Sequence, residues 1–426
     1  MQSRWDWVEP CVWTRRMLQA LEQGVKGGRW FSLMDKVWSL ENLRVSFAQV
    51  KANDGAPGAD RQTIAMFERH LEANLGKLSQ ELREGRYRPG PVRRVWIDKL
   101  GSTEKRPLGI PSVRDRVVQT ALRNVIEPIF EKEFAEHSYG FRPHRGCKDA
   151  LRRVDDLLKR GHRWVVDADL KSYFDTIPHK GLMQKVAGKI SDGDLLDLIG
   201  RYLKQPVVDD GESWEPVAGS PQGAVVSPLL SNIYLNDLDH LMVREGLEMV
   251  RYADDLVVLC VSAQEAQRAM ALLRAWAEAS GLTIHPTKTR IVDEQDDGPG
   301  GGFDFLGYHF VRGKKWPRAK SLMKLREAIR RKTPRTSGQS LQQIVGEVNE
   351  TLRGWFAYFK HSYKTTFTYT DGWIRMRLRS ILRQRHGLKG RGRGADHQRW
   401  PNAYFAQCGY FSLKSAHDLA LRSSRR

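Results

Sequence analysis

The chain has 426 residues, of which 40% are hydrophobic and 28% charged, and this composition excludes global disorder. Its four cysteines lie far apart without C-x-x-C spacing, and no apolar run approaches the ~20 residues of a membrane span, so a disulfide framework, a cysteine zinc site and a transmembrane helix are all disfavoured. The net charge of +20 is concentrated in residues 312–426, which hold 27 Lys and Arg against 6 Asp and Glu, and this excess predicts a polyanionic partner, either nucleic acid or an anionic membrane surface.

Spacing and turn residues predict the elements of the first half of the chain. Helices are expected over 1–50, 61–84 and 114–133, the second of them ending at Gly85. The alternating segment 92–98 predicts a strand, and the basic segment 99–111 predicts a loop that leads into another strand or turn.

The second half contains two apolar runs with acids in them. Residues 163–170 predict a buried strand, and 249–260 predict two short strands joined by a tight turn. The remaining expectations are a helix over 263–280, a connector at 298–302, a strand over 303–311, basic helices from about residue 320, and loops at 334–340 and 387–397.

Acidic residues occupy positions where an ionised carboxylate normally costs stability. Asp169 ends the first apolar run, and the adjacent Asp254 and Asp255 interrupt the second. A single aspartate in a hairpin turn is common turn chemistry. Adjacent aspartates together with a strand-end aspartate instead favour a site for two Mg²⁺ ions about 3.5–4 Å apart, of the kind that catalyses phosphoryl transfer. Asp167 lies in the same apolar run, two residues before Asp169.

Several blocks of sequence together resemble one protein family. The segments RYADDLVVL (251–259), DADLKSYFDTIPH (167–179), GSPQGAVVSPLLSNIYLNDLD (219–239) and KRPLGIPSVRDRVVQ (105–119) resemble reverse transcriptases of the bacterial group II intron type. Further blocks are SYGFRPHRGCKDAL (138–151), GLTIHPTKTRIV (281–292) and FDFLGYHF (303–310), and LRGWFAYF (352–359) and DGWIRMRLR (371–379) resemble the maturase-specific domain.

The resemblance implies an α+β fold: a right-hand polymerase with fingers and palm, followed by an α-helical thumb or maturase domain. The implied domains are an N-terminal helical extension (1–60), fingers and palm (61–311), a thumb or maturase X domain (312–385), and a basic C-terminal maturase or DNA-binding-like segment (386–426) without an endonuclease module. The implied location is the bacterial cytoplasm, with nucleoid association during action on DNA.

The resemblance also assigns site residues. The implied catalytic residues are Asp169, Asp254 and Asp255, and the implied metal ligands are these three together with Leu170, binding two Mg²⁺ ions for which Mn²⁺ can substitute. The resemblance places Asp167 outside this set, as a supporting or solvent-facing acid. The implied substrate-binding residues are Lys99 and Arg106 for the triphosphate, Phe174 against the 2′ position of the sugar, Gln222 for the bound nucleotide, and Lys288 near the leaving pyrophosphate. A core aromatic is the alternative role for Phe174. Ala224 departs from the usual P-Q-G-G pattern, without expected cost unless the position needs a positive φ.

The basic C-terminal region predicts contact with an RNA backbone. In the segment 374–385 the candidate nucleic-acid-binding residues are Arg375, Arg377, Arg379, Arg383 and Arg385. The aromatic residues nearby are expected mainly to form the core of the helical domain.

The leading functional interpretation is an RNA-directed DNA polymerase that binds group II intron RNA, assists its splicing and copies it by target-primed reverse transcription. Its partners would be that RNA or another structured RNA template, a DNA primer or target, and dNTPs, with no membrane. The alternatives are a relative recruited to phage defence, DNA repair or CRISPR spacer acquisition, and a splicing cofactor that does not polymerise. An RNA-dependent RNA polymerase is opposed by Phe174, since RNA synthesis must admit a 2′-hydroxyl.

Overall fold

The computed structural model describes residues 4–98, 105–296, 298 and 301–423. The chain divides into two compact units, an N-terminal unit of residues 1–291 and a C-terminal unit of residues 292–426. Residues 303–317 form a small sheet within the C-terminal unit. The implied domain bounds, with the palm ending at residue 311, stay a prediction. Within the described part of the chain, every helix is too short or too polar to traverse a bilayer.

The N-terminal unit mixes helices with two four-stranded sheets. Its helices are α1 (Arg15–Gln23), α2 (Met34–Val37), α3 (Leu40–Asn53), α4 (Ile64–Glu68), α5 (Leu71–Arg83), α6 (Val113–Glu131), α7 (Cys147–Lys159), α8 (Tyr173–Thr176), α9 (His179–Ala187), α10 (Gly193–Leu203), α11 (Ser227–Arg244) and α12 (Ala263–Ala279). Its strands are β1 (Val92–Asp98), β2 (Lys105–Ile110), β3 (Trp164–Asp169), β4 (Val207–Asp209), β5 (Glu212–Trp214), β6 (Glu248–Tyr252), β7 (Asp255–Cys260) and β8 (Arg290–Asp293), the last of which contains the division between the units.

The two sheets of the N-terminal unit are built from different strands. One has the order β2-β1-β4-β5 and the other the order β6-β7-β3-β8. The predicted strands at 92–98, 163–170 and 249–260 are confirmed. The segment 99–111 was expected to lead into a strand or a turn, and the structure has the strand: residues 105–110 form β2 and pair antiparallel with β1. A short strand containing a proline and a glycine carries little strand signal, and pairing with β1 decides its conformation.

Helix α6 forms the centre of the N-terminal core. Almost every position along it is buried, on all sides, which is the burial of a helix surrounded by other elements. It begins at Ser112, whose hydroxyl accepts a hydrogen bond of 3.0 Å from the backbone N–H of Asp115. Apolar residues of the first 50 positions, such as Val37, Leu43 and Phe47, belong to the same core cluster as α6. The N-terminal helices are therefore an integral layer of this unit.

One acid on α6 gives the folded state a pH dependence. Burial raises the pKa of Glu127 from its ordinary 4.5 to about 7. The positive charge of Arg123 lowers this pKa, and the negative charge of Glu131 raises it. The folded protein thus holds a proton that the unfolded chain releases between these values, so the free energy of unfolding should fall as pH rises from about 4.5 to about 7. Urea unfolding of Glu127→Gln should show a flatter profile across this window. An unchanged profile would assign the dependence to other groups.

The C-terminal unit is mainly helical. It comprises β9 (Phe303–Phe305), β10 (Tyr308–Val311), β11 (Lys314–Pro317), α13 (Ala319–Lys332), α14 (Leu341–Phe359), α15 (Thr365–Arg385), α16 (Ala395–Arg399), α17 (Asn402–Gln407) and α18 (Leu413–Ser423). The single strand predicted over 303–311 is wrong, because Leu306 and Gly307 both have positive φ and turn the chain into a hairpin. The core of the unit joins α13, α14 and α15 with the aromatic residues Trp400, Phe405 and Tyr410.

Candidate active site

Two of the predicted carboxylates face each other across neighbouring strands. β3 and β7 pair antiparallel, and in their register Asp169 lies directly opposite Asp255. Their chain neighbours Ala168 and Leu256 point to the other face, where they are buried in a cluster with residues of α11 and α12. Like charges directly opposite one another destabilise a sheet, so this pair lowers the stability of the fold unless a cation binds between the two carboxylates.

The third carboxylate lies in the turn between β6 and β7. Tyr252 pairs with Asp255, which leaves Ala253 and Asp254 as the turn residues, and Ala253 takes a left-handed conformation with φ of 59°. Another segment supports this turn at very close range: a Cβ at Gly140 would lie 2.3 Å from the backbone nitrogen of Ala253. Only glycine therefore fits there, and the approach holds Asp254 beside the strand-end pair.

The electrostatics of the site are those of crowded acids. Burial raises the pKa of Asp254, and the charge of Asp169 raises it further, while Arg106 and Arg251 act in the opposite direction. A shift of this kind favours the neutral acid until a cation enters the site. Sites with such shifts are where catalytic groups concentrate.

A lysine side chain provides a positive charge next to these carboxylates. The ammonium group of Lys288 lies 2.9 Å from the Oδ2 atom of Asp169, at a position where both side chains remain partly exposed. The segment that carries Lys288 is fixed to the end of β3, since His285 donates its backbone N–H to the carbonyl of Asp169 at 2.8 Å. The hydroxyl of Thr289 also accepts a hydrogen bond from the backbone N–H of Asp169, at 3.2 Å.

The arrangement matches divalent-ion chemistry in its donor set but is not a preformed cage. All the candidate side chains offer hard carboxylate oxygens, as Mg²⁺ prefers. Across residues 4–98, 105–296, 298 and 301–423, however, no three acidic, histidine or cysteine side chains come together closely enough to hold an ion. The buried Leu170 offers only its backbone carbonyl to an ion, because its side chain belongs to the hydrophobic core. The structure thus brings together Asp169, Asp254 and Asp255 as neighbours, while Asp169 is engaged by Lys288.

Two of the predicted substrate-binding residues contact each other. The Nε atom of Arg106, on β2, donates a hydrogen bond of 2.7 Å to the Oε1 atom of Gln222. Main-chain contact fixes the same two segments, since Gly109 donates to the carbonyl of Gln222 at 2.7 Å. Gly223 follows with φ of 110°, where a Cβ would lie 2.5 Å from the carbonyl oxygen of Gly109. Ala224 has no positive φ, so its departure from the family pattern introduces no backbone strain.

Phe174 lies next to this segment, close behind the strand-end acid. Its carbonyl accepts a hydrogen bond of 2.7 Å from the backbone N–H of Ser220, and its ring packs edge-on against Tyr173 at 5.6 Å. The side chain is buried in the core cluster, and only 8% of the residue surface remains exposed. Burial agrees with the core-aromatic alternative, and contact with a sugar stays a prediction. Lys99 lies outside the described residues.

The comparisons with known proteins now identify the chain. The model of the reverse transcriptase (RNA-dependent DNA polymerase) family matches residues 97–310. Protein YkfC of Escherichia coli is 33% identical over 349 residues, covering 73% of this chain and 86% of the relative. The chain belongs to the reverse transcriptase family. This reverse transcriptase is of the group II intron type, because the group II intron maturase-specific domain matches residues 322–400.

A second relative is named as a group II intron-encoded protein. The group II intron-encoded protein LtrA of Lactococcus lactis is 38% identical over 186 residues, which cover 44% of this reverse transcriptase and 31% of LtrA. The match therefore spans about a third of that relative's length. Among solved structures, a telomerase from Candida albicans aligns with a TM-score of 0.41 at 12% identity, covering 75% of this chain and 64% of that chain.

The residue that sequence reasoning missed in this reverse transcriptase is Arg251. It is completely buried on β6, two residues before the turn that carries Asp254, and two of its nitrogens donate to the carboxylate of Asp239, at 2.7 and 2.5 Å. The remaining donors bond to the side chains of Asn232 and Ser138 and to the carbonyl of Ala253. The signal available in the sequence is an arginine inside an otherwise apolar strand, a position that requires a buried partner.

The arginines predicted on α15 to bind nucleic acid are mostly engaged within the protein. Arg379 is 2% exposed and donates to the carbonyl of Trp400 and the side chain of Asn402. The other four also have internal partners: Arg375 lies 3.8 Å from Asp371, Arg377 donates to Thr333, Arg383 to Asp396, and Arg385 to the carbonyls of Ser337 and Gln339. Because Arg379 is almost completely buried, its predicted role in nucleic-acid binding is the least supported of the five.

Proposed function

We propose that this reverse transcriptase copies an RNA template into DNA by joining dNTPs to the 3′-hydroxyl of a primer. The single observation that supports this site is the pairing of Asp169 with Asp255 across two strands, with Asp254 in the adjoining turn. Three carboxylates at one sheet end are unfavourable for folding alone and favourable around cations. Two Mg²⁺ ions bound there, or Mn²⁺ in their place, would supply activation of the hydroxyl and stabilisation of the leaving pyrophosphate.

The chain's own residues would orient the incoming nucleotide. Arg106 and Gln222 already contact each other, so one hydrogen-bonded pair would present a charge for the triphosphate and an amide for the nucleotide. We assign Lys99 to the triphosphate on the resemblance alone. Lys288 would donate a proton to the leaving pyrophosphate once its ion pair with Asp169 opens, and its contact with that carboxylate supports this role.

We propose group II intron RNA as the partner, with splicing assistance and target-primed copying as its outcome. The support is the maturase-specific domain over 322–400 and the excess of basic residues in the same region. Sequencing the RNA that copurifies with the full chain tests this. Enrichment of a structured RNA encoded around the reading frame is expected, whereas enrichment of unrelated cellular RNA would contradict it.

Primer extension on an RNA template with Mg²⁺ tests the polymerase itself, and Phe174 gives it a specific prediction. If its ring excludes a 2′-hydroxyl, Phe174→Ala should raise NTP use relative to dNTP use by at least about tenfold, because steric exclusion is worth a few kcal/mol. The measured quantity is the ratio of kcat/KM for the two nucleotides.

Tyr173→Ala is the matched control for this substitution. Tyr173 is the neighbouring core ring, also nearly fully buried, so its loss should destabilise the fold to a similar extent. An equal change of selectivity in both variants would mean that core loosening, rather than contact with the sugar, sets the preference. Preferential NTP use by the unmodified enzyme would contradict the role of Phe174 outright.

A further inference from the structure

The C-terminal unit contains a small cavity lined by arginines. It lies between the end of α13, the segment that follows it, the middle of α15 and the loop after α15, and its volume is about 240 Å³. The lining side chains that carry the argument are Arg330, Arg335, Arg377, Arg391, Thr333 and Trp373. Pockets for whole small molecules usually measure about 300–1,000 Å³, so this one suits a smaller group.

The cavity concentrates positive charge without a matching acid. Among the described residues, no carboxylate lies within ion-pair distance of Arg330, Arg335, Arg377 or Arg391. By contrast, Arg383, which lies further along α15 and does not line the cavity, forms an ion pair of 2.6 Å with Asp396. Burial lowers the pKa of Arg377, and the charges of Arg330 and Arg335 lower it further. These guanidinium groups therefore repel one another in the absence of an anion.

The innermost arginine is held in a fixed orientation. Arg377 donates from Nε to the hydroxyl of Thr333 at 2.7 Å and from a terminal nitrogen to the carbonyl of Thr333 at 2.8 Å. Its guanidinium carbon lies 5.5 Å from the ring centre of Trp373, and that of Arg326 lies 5.9 Å from the same ring. Stacking on an aromatic ring and anchoring to a buried threonine both reduce the entropy lost when a ligand binds.

A simpler explanation covers only part of this cluster. Basic residues in the last turn of a helix favour the partial negative charge of its C-terminus, and Arg330 lies in the last turn of α13. Arg335 and Arg391 lie outside both helices, on separate loops, and yet line the same cavity. Helix-end electrostatics do not account for their convergence.

We propose that this cavity is a binding site for a phosphodiester group of an RNA strand. Planar guanidinium groups that converge from three segments match the oxygen geometry of a phosphate better than single lysines would. The ligand deepens the proposed function, because it rests on RNA as the partner of this reverse transcriptase. The site would be a fixed contact on the maturase-specific domain, separate from the catalytic carboxylates.

The test compares two double variants of the full chain. Arg335→Gln with Arg391→Gln removes two cavity charges, and Arg331→Gln with Arg393→Gln removes two charges from positions two to four residues away that do not line the cavity. A labelled oligouridine of about 20 nucleotides serves as the probe, and its Kd is measured over a range of salt concentrations. The cavity variant should bind about tenfold more weakly and lose about 0.7 from the slope of log K against log salt, the value for one single-strand phosphate.

The control variant should change the Kd no more than about twofold, if the contact is localised. Equal weakening in both variants, or an unchanged Kd in the cavity variant, would overturn the proposal. Primer extension on a short primer–template separates this failure from failure of the proposed function. If the unmodified enzyme extends primers and binds RNA, and the cavity variant binds RNA equally well, only the proposed cavity site is wrong. The proposed function would then still stand.

Discussion

Asp254→Asn should abolish primer extension while leaving RNA binding intact. The substitution keeps the shape of the side chain but removes one of three carboxylate charges from the end of the sheet. Divalent ions contribute several kcal/mol to phosphoryl transfer, and each 1.36 kcal/mol is a factor of ten in rate, so a loss of at least about a thousandfold is expected. Single-turnover extension and a Kd for the primer–template should be measured on the same preparation.

Asp167→Asn provides the matched control, an aspartate on the neighbouring strand β3. Asp167 lies two residues before Asp169 on the same face of β3, at 3.7 Å from the Nε atom of Arg290. Its loss should reduce extension no more than about tenfold, since we place it outside the metal-binding set. If Asp254→Asn also abolishes RNA binding or unfolds the protein, Asp254 is a structural residue and the proposed active site is wrong.

Arg251→Met should produce the largest loss of stability of any single substitution considered. It would leave the carboxylate of Asp239, which is 4% exposed, buried and without its guanidinium partner. Removing one member of a buried ion pair typically costs about 3–5 kcal/mol. Urea unfolding should therefore show a lower midpoint with an unchanged slope. Arg251→Lys should also destabilise, because an ammonium group cannot reproduce the fork that spans Asp239, Asn232 and Ser138.

The double variant Arg251→Met with Asp239→Leu separates stability from positioning. Replacing a buried ion pair by apolar side chains of similar size is often neutral or stabilising, so most of the lost stability should return. Extension should not return with it, because the carbonyl of Ala253 would still lack its donor beside Asp254. We expect a reduced kcat with little change in KM. Recovery of both stability and kcat would show that Arg251 serves only the fold.

The segments that carry the candidate catalytic acids could be recognised from the sequence because their signals are local. The acids at 169, 254 and 255 stand out against apolar strands, and the two-residue turn at 253–254 follows from the break between them. Their partners were not readable, since Asp239 and Arg251 come from a helix and a strand and meet only when α11 packs beside β6. The same limit applies to α15, where helical spacing identified the arginines but not Asp371, Thr333 or Asp396 as their partners.

The incorrect predictions of secondary-structure elements also arise from contacts that the local sequence does not show. The segment 303–311 reads as one strand because aromatic residues alternate through it, and the positive φ values of Leu306 and Gly307 create a hairpin that alternation cannot reveal. Residues 61–84 read as one helix, yet the structure has α4 and α5 with a break between Glu68 and Leu71. Turns of one or two residues depend on backbone angles that packing selects.

Residue type, order and charge are properties of the chain, so they were enough to indicate the family, to single out Asp169, Asp254 and Asp255 as candidate metal ligands and to locate the basic character in residues 312–426. The folded arrangement was needed to learn that Asp169 faces Asp255, that Arg251 supports the turn, and that four arginines converge on one cavity while Arg379 is buried. The physical reason is that strand register and helix packing bring together residues distant in sequence, and burial then determines which charges remain accessible to a ligand.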